Sequence, residues 1–204
     1  MKFKGNGNKY IESLFPEVNE ITDPDIRQKV INCWLMALEE SDWERIEDMR
    51  WIPGKMTVIS NVQHCRGVAR IGLAMARTLN ASEDVAPGSK VNVDTVVAGC
   101  LLHDVGKLFE YSGAANDTGE KTPLGKRMMH HITGTYLAIK AGLSAEIVHC
   151  IEAHREPEAF QRTLEAHIVV WADLCHAYSV IRIHPETGYF APNLFSIKDS
   201  GGEK

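Results

Sequence analysis

The sequence predicts an all-α, single-domain helical bundle. Three observations carry that reading. Apolar residues recur at spacings of three and four in segment after segment, and proline, glycine and polar runs separate those segments. No stretch has the alternating pattern of a half-buried strand, and there is no internal repeat. A chain of 204 residues, 44% hydrophobic and 24% charged, has the size and balance of one soluble domain with a core of its own.

Residues 1–22 read as a polar, partly ordered lead-in to a helical domain over 23–183, with its core at 57–180 and a tail at 184–204. Asp23-Pro24 marks a helix start. Ile26, Val30, Trp34 and Leu38 then recur every four residues, and Ile31 and Leu35 widen the stripe. Ser41-Asp42-Trp43-Glu44 matches a capping box, so a second helix is expected from about Asp42 to Arg50, stopped by Trp51-Ile52-Pro53-Gly54. A third should run from near Thr57 to Leu79, with His64 on it and Val58, Val62, Val68, Ile71, Met75 and Leu79 as its apolar face. Asn80 to Asn92 reads as a loop. The fourth helix is capped by Asn92 or Asp94 and ends in Leu101-Leu102-His103-Asp104-Val105-Gly106-Lys107. Ser112 to Pro123 reads as a mobile connection, a candidate lid. The fifth helix is expected from about Leu124 to Ala141, with Gly142 as its C-terminal cap. Ser144 caps a sixth, about Ala145 to His154, which ends at Arg155-Glu156-Pro157. A seventh begins near Thr163 and carries Leu164, Ile168, Val169, Trp171, Leu174, Tyr178 and Ile181. The tail from His184 should be disordered.

Composition excludes several classes. The formal net charge of −5, from 22 basic and 27 acidic residues, argues against a nucleic-acid partner, which would need a basic face. A small anionic substrate in a local basic pocket remains compatible with it. Cys33, Cys65, Cys100, Cys150 and Cys175 are scattered and odd in number, with no C-x-x-C pair, so neither a disulfide framework nor a zinc knuckle is expected. The first residues show no apolar signal segment, and no apolar run approaches the ~20 residues of a membrane span. A cytoplasmic protein with no membrane partner is the default expectation.

His103 and Asp104 end an apolar run that burial carries inward. Burying an imidazole and a carboxylate together is costly unless they are paired or hold a metal. Partners are at hand in Gln63-His64-Cys65-Arg66, Met129-His130-His131-Ile132-Thr133-Gly134, His149-Cys150-Ile151-Glu152-Ala153-His154 and Val170-Trp171-Ala172-Asp173-Leu174. Each lies on a different predicted helix. Metal sites in helical bundles are built from inward side chains on facing helices. Mixed imidazole and carboxylate donors suit Mn, Fe, Co, Ni or Zn.

With these residues the chain resembles the HD-domain metal-dependent phosphohydrolase superfamily, its HDIG-type branch in particular, over roughly residues 57–180. The resemblance implies an all-α fold in which His64, His103, Asp104 and Asp173 hold one divalent metal. In members with two metals the aspartate of the HD pair bridges them. A histidine four residues before a glycine, and a histidine pair about a helix later, complete the second site. His130, before Gly134, and His154 fall at those places, with Arg155 where the pair's second histidine would stand. One metal site is therefore expected, and a second wherever His130 and His154 also ligate. His131 points about 100° away from His130 and reads as a neighbour. His149, His167, His176 and His184 read as structural or surface residues, the tryptophans and methionines as core, and Cys65 and Cys100 as buried inert thiols. The N-terminal helices with Trp34, Trp43 and Trp51 either cover the core or form the face of a homodimer.

The expected reaction is hydrolysis of a phosphate ester, monoester or diester, in a small nucleotide or other small phosphorylated metabolite. A divalent metal lowers the pKa of bound water toward about 7. Asp104 would anchor or bridge metal and orient that water. Lys107, one turn beyond His103, would meet a phosphate oxygen or pair with an acidic neighbour. Arg127, three residues before His130, and Arg155 are further substrate-binding candidates, and Arg66 and Arg70 weaker ones. His130 or a nearby acid would protonate the leaving oxygen. Val105-Gly106-Lys107 stands where guanosine tetraphosphate hydrolases of the superfamily carry a Glu-Asp pair, and the Gly-Tyr-Pro of cyclic di-GMP phosphodiesterases is missing after His154. Two other readings use the same residues: an HD-type di-iron oxygenase, which needs all six ligands, and a non-catalytic metal-containing sensor or binding module.

Overall fold

A computed structural model of the chain describes residues 5–54, 59–84, 90–155 and 161–183, with side chains through residue 180. The expected start at Thr57, Val58, the loop centre at Pro87-Gly88, Glu156-Pro157, the side chain of Ile181 and the tail from His184 lie outside the described residues. The molecule is all-α. Among the described residues the β-type contacts are isolated bridges, Arg50 with Ser60 and Tyr111 with Lys121. No helix described is long and apolar enough to cross a membrane.

One helix, Val93–Leu102 (numbered α4 in chain order), sits at the centre. Val96 to Leu102 are buried without exception. A helix that is apolar all round must be covered on every side. It packs against Asn61–Ala81 (α3), Ala145–Glu152 (α8), Leu164–Ile183 (α9) and Pro24–Glu40 (α2). The Asn92 side chain caps α4 by accepting the Thr95 N–H at 3.0 Å. Asp23 caps α2, whose Val30, Ile31, Trp34 and Leu38 face inward as their spacing requires. The short helices Gly7–Leu14 (α1), Lys107–Glu110 (α5) and Ala115–Thr118 (α6), and His130–Lys140 (α7), complete the set used below.

Four expectations are corrected. The lead-in is part of the core: α1 and a 3-10 turn at Pro16–Glu20 bury Ile11, Phe15, Val18 and Ile21, and Phe15 stacks on Trp34 with ring centroids 4.7 Å apart. Those residues have helical spacing, interrupted by Pro16. No helix runs from Asp42 to Arg50; there is only a 3-10 turn at Ile46–Asp48. Ser41 Oγ donates back to the Leu38 carbonyl at 3.2 Å, and the residues after it are used elsewhere. Asp42 accepts the Gly113 N–H at 2.9 Å, and buried Trp43 donates its indole N–H to the Tyr111 carbonyl at 3.0 Å. The capping box belongs instead to Ser60 and Gln63, which start α3 at Asn61. Finally, α7 begins at His130, not at Leu124, for a reason given below. Gly142 does end it, at φ +77.

Trp34, Trp43 and Trp51 are buried, so the N-terminal region covers the core. Trp171, Met128 and Met129 depart from the core expectation and are exposed.

Asp94 ties the start of α4 to the start of α2. Its carboxylate accepts the Thr22 N–H, the Thr22 hydroxyl and the Asp23 N–H at 2.8–2.9 Å. Burial pushes its carboxyl up, but these donors outweigh it and hold the pKa below the usual carboxylate value. A group with a lowered native pKa stabilises the fold above its unfolded pKa, and that contribution is lost as pH falls through the native one. Asp94→Asn should therefore cost about 2 kcal/mol at pH 7. The gap to wild type should close in denaturant melts run progressively below the ordinary carboxylate range.

Candidate metal centre

Four residues from three elements deliver the centre. His64 comes from the first turn of α3, His103 and Asp104 from the end of α4, and Asp173 from the middle of α9. His64 Nε2 lies 3.0 Å from Asp173 Oδ1, 3.2 Å from His103 Nε2 and 3.6 Å from Asp104 Oδ2. His103 Nε2 is 3.4 Å from Asp104 Oδ2 and 3.8 Å from Asp173 Oδ1. Donors about 2.1 Å from a common centre stand roughly 3.0–3.4 Å apart in octahedral or tetrahedral arrangement. Three of the five separations fall in that range, and the other two, at 3.6 and 3.8 Å, are slightly longer.

The ring protons support the same fit. His103 Nδ1 lies 2.8 Å from the Cys100 carbonyl and His154 Nδ1 lies 2.6 Å from the Ile151 carbonyl. A carbonyl can only accept, so both rings donate from Nδ1 and turn Nε2 into the site. Buried His154 Nε2 has no hydrogen-bond partner among the described residues. An orphaned buried nitrogen is what a ligand atom looks like without its ion. Burial lowers the pKa of His64 to about 4 against the pull of Asp173. Burial, with His103 and His130 nearby, holds His154 well below the usual imidazole range. At His103 burial acts the same way, but Asp104 and Asp173 outweigh it and raise the pKa. The field at that atom favours a positive charge.

Asp104 is the shared element. Its Oδ2 faces His64 and His103, and its Oδ1 lies 3.3 Å from His130 Nε2. Two compact donor groups result, His64 with His103 and Asp104, and Asp104 with His130 and His154. Burial pushes the Asp104 carboxyl up, but Lys107 and His103 hold it well below the usual range. Lys107 is buried, with Nζ 2.7 Å from Asp104 Oδ2 and donating to the Trp51 carbonyl at 3.0 Å. Of its two expected uses, pairing with an acidic neighbour is the one seen.

Asp104, His130 and His154 line a cavity of about 520 Å³ together with Lys107 and Asp173, while His64 and His103 do not reach its surface. Trp51 to Gly54, and Thr118, Gly119 and Lys121, line it as well. Those two segments are pinned together. Asn116 holds the Arg50 N–H at 2.9 Å and donates to the Asp48 carbonyl at 2.6 Å. A Cβ on Gly54, at φ +74, would fall 2.4 Å from the Gly119 Cα. The expected mobile connection is thus tied down over the site.

Arg155 lines the cavity; Arg127 does not. Arg127 would share a face with His130 only if the helix ran back through it. It stands in the turn before α7 and is exposed. Arg66 and Arg70 pair with Glu17, Arg66 at 3.1 Å and Arg70 at 2.7 Å. Three residues near the centre were not expected there. Trp51 stacks on His64, centroids 4.3 Å apart. His176, read as structural or surface, has Nδ1 3.0 Å from His64 Nδ1; it lies one turn after Asp173 on α9, which is the signal that could have found it. Glu110 Oε2 lies 2.6 Å from His130 Nδ1.

Fold and site together define an all-α protein with a histidine–aspartate metal-type centre at the meeting of its helices. The family model described as HD domain matches residues 61–178, more than half of the chain. The chain belongs to the HD-domain family, within a superfamily made up mostly of metal-dependent hydrolases. No curated protein and no solved structure matches it.

Proposed function

We propose that the protein is a metal-dependent phosphohydrolase acting on a small phosphate ester, a nucleotide or another small phosphorylated metabolite. One observation carries the reading: Asp104 presents one carboxylate oxygen to the His64 and His103 side and the other to the His130 side. His64, His103, Asp104 and Asp173 would hold a first divalent ion (Mn, Fe, Co, Ni or Zn), and His130 and His154, with Asp104 bridging, a second. Bound there, such an ion supplies Lewis acidity and brings the pKa of water down toward about 7.

The chain's own residues do the rest. Asp104 Oδ1 and Oδ2 hold the two halves of the site in register, and its carboxylate can accept a hydrogen bond from a water in the cavity and so orient it. Lys107, fixed between Asp104 and the Trp51 carbonyl, keeps positive charge at the cavity floor, where a phosphoryl oxygen gains charge as its ester bond breaks. Arg155 offers a second cation at the wall. The cavity's volume suits a small molecule and supports a metabolite over a polymer. The burial of Trp51 against His64 keeps bulk water from that flank.

The test is metal analysis of the purified protein, then phosphate release from a panel of nucleotides and small phosphoesters with Mn, Co, Ni, Fe or Zn added. Release dependent on added metal supports the reading. Oxygen uptake with iron and no phosphate release would replace it with the oxygenase. Bound metal without turnover of any kind would favour the sensor.

A further inference from the structure

Glu110 is 3% exposed and belongs to none of the motifs described above. It is the last residue of α5, yet its carboxylate contacts residues 11 and 20 positions further along the sequence. Its Oε2 accepts the His130 backbone N–H at 3.0 Å and lies 2.6 Å from His130 Nδ1. Its Oε1 pairs with Lys121 Nζ at 2.6 Å. Met129, at the N-cap of α7, makes no side-chain capping bond. The helix start at His130 is therefore satisfied by a carboxylate from elsewhere, which is why local sequence did not locate it.

One oxygen serves both the backbone and the ring of the same residue. A carboxylate only accepts, so His130 Nδ1 must be the donor. With Nδ1–H committed to Glu110, Nε2 is the ring atom left for the cavity, and it faces Asp104 Oδ1 at 3.3 Å. A rotated ring would give up the bond to Glu110 and leave a buried carboxylate oxygen short of a donor.

We infer that Glu110 is a positioning residue which fixes the ring orientation and tautomer of His130, so that Nε2 is the atom presented to Asp104 and the cavity. What Nε2 then does rests on the reading of His130 as a metal ligand; the tautomer itself does not. Lys121 completes the device by holding the other oxygen of Glu110.

The experiment uses full-length protein with 15N-labelled histidine, metal-free and then titrated with Zn2+. In the wild type His130 Nδ1 should carry a hydrogen-bonded proton. Glu110→Gln should keep it, since an amide oxygen also accepts, and Glu110→Leu should lose it, with the ring proton moving to Nε2 beside the Asp104 carboxylate. The second equivalent of Zn2+ should bind roughly 10- to 100-fold more weakly to Glu110→Leu and near the wild-type affinity in Glu110→Gln. A residue that only capped α7 would move neither the ring proton nor the second Zn2+ alone. An unprotonated His130 Nδ1 in the wild type overturns the inference, as does a Glu110→Leu protein with an unchanged tautomer. If Glu110→Leu does not fold, the wild-type and Glu110→Gln spectra decide. If the wild type takes one equivalent of Zn2+, the two-metal reading fails while the ring proton still decides the role of Glu110.

Discussion

Asp104→Ala should abolish phosphoester hydrolysis, with a loss of about 1,000-fold or more, and should empty both donor groups of metal. The size follows from what is removed. Positioned charge at a reacting phosphoryl group is worth several kcal/mol, and each 1.36 kcal/mol is about tenfold in rate. No neighbour can replace the carboxylate: its two oxygens serve opposite sides, and Asp173 approaches only the His64 and His103 side. The substitution also leaves Lys107 buried without its anion. Removing one partner of a buried pair costs about 3–5 kcal/mol, so the alanine variant should be less stable even without metal. Lys107→Met in the same chain should restore part of that stability and none of the activity. Asp104→Asn separates the two effects, keeping shape while removing charge. Metal at about 100 times its Kd should raise the wild-type stability by about 2.7 kcal/mol and leave Asp104→Asn nearly unmoved. Phosphate release that survives Asp104→Ala would sink the proposed mechanism.

The residues that sequence could find are those whose meaning is local. His64, His103, Asp104 and Asp173 each sit in an apolar helical pattern, and a charged or imidazole side chain on such a face must have a partner inside. The stripes of α2, α4 and α9 were readable for the same reason. What escaped was set by contacts far apart in sequence. The cap of α7 comes from Glu110, the neighbour of His64 Nδ1 is His176, and the lost helix after Ser41 gives its residues to Tyr111 and Gly113. Arg127 follows from the same contact: a helix begun at Leu124 would set it on the face of His130, but α7 starts at His130 and leaves Arg127 in the turn before it. Gly106 stands between these cases. Its place after His103-Asp104 was plain, while the reason a glycine is needed there lies across the site in α7.

Gly106→Ala is the second large effect, and it should reach the metal centre through packing alone. Gly106 has φ −68, an ordinary value, so backbone freedom is not the issue. Space is. A Cβ there would lie 2.0 Å from the His130 carbonyl oxygen, 2.5 Å from Thr133 Oγ1 and 2.6 Å from the Gly134 N. Two of the three obstacles are backbone and cannot rotate away. The first turn of α7 must move off α5, and His130 moves with it. Overpacking of this kind costs about 3 kcal/mol, and more when backbone must shift. For a chain of this length that is roughly 6–12 °C in Tm. His64, His103 and Asp173 sit on other helices, so the first equivalent of metal should stay while the second is lost. Gly142→Ala is the control. There φ is +77 and the nearest atom, Lys29 Cε, is 3.6 Å away, so the cost is conformational, about 1 kcal/mol, with metal content unchanged. If Gly106→Ala melted with the wild type and kept both equivalents, α7 would not depend on this contact. The two glycines, Gly106 after the HD pair and Gly134 after His130, would then be unconnected. If it behaves as expected, they are one feature: the place where two backbones come close enough to set His130 opposite Asp104.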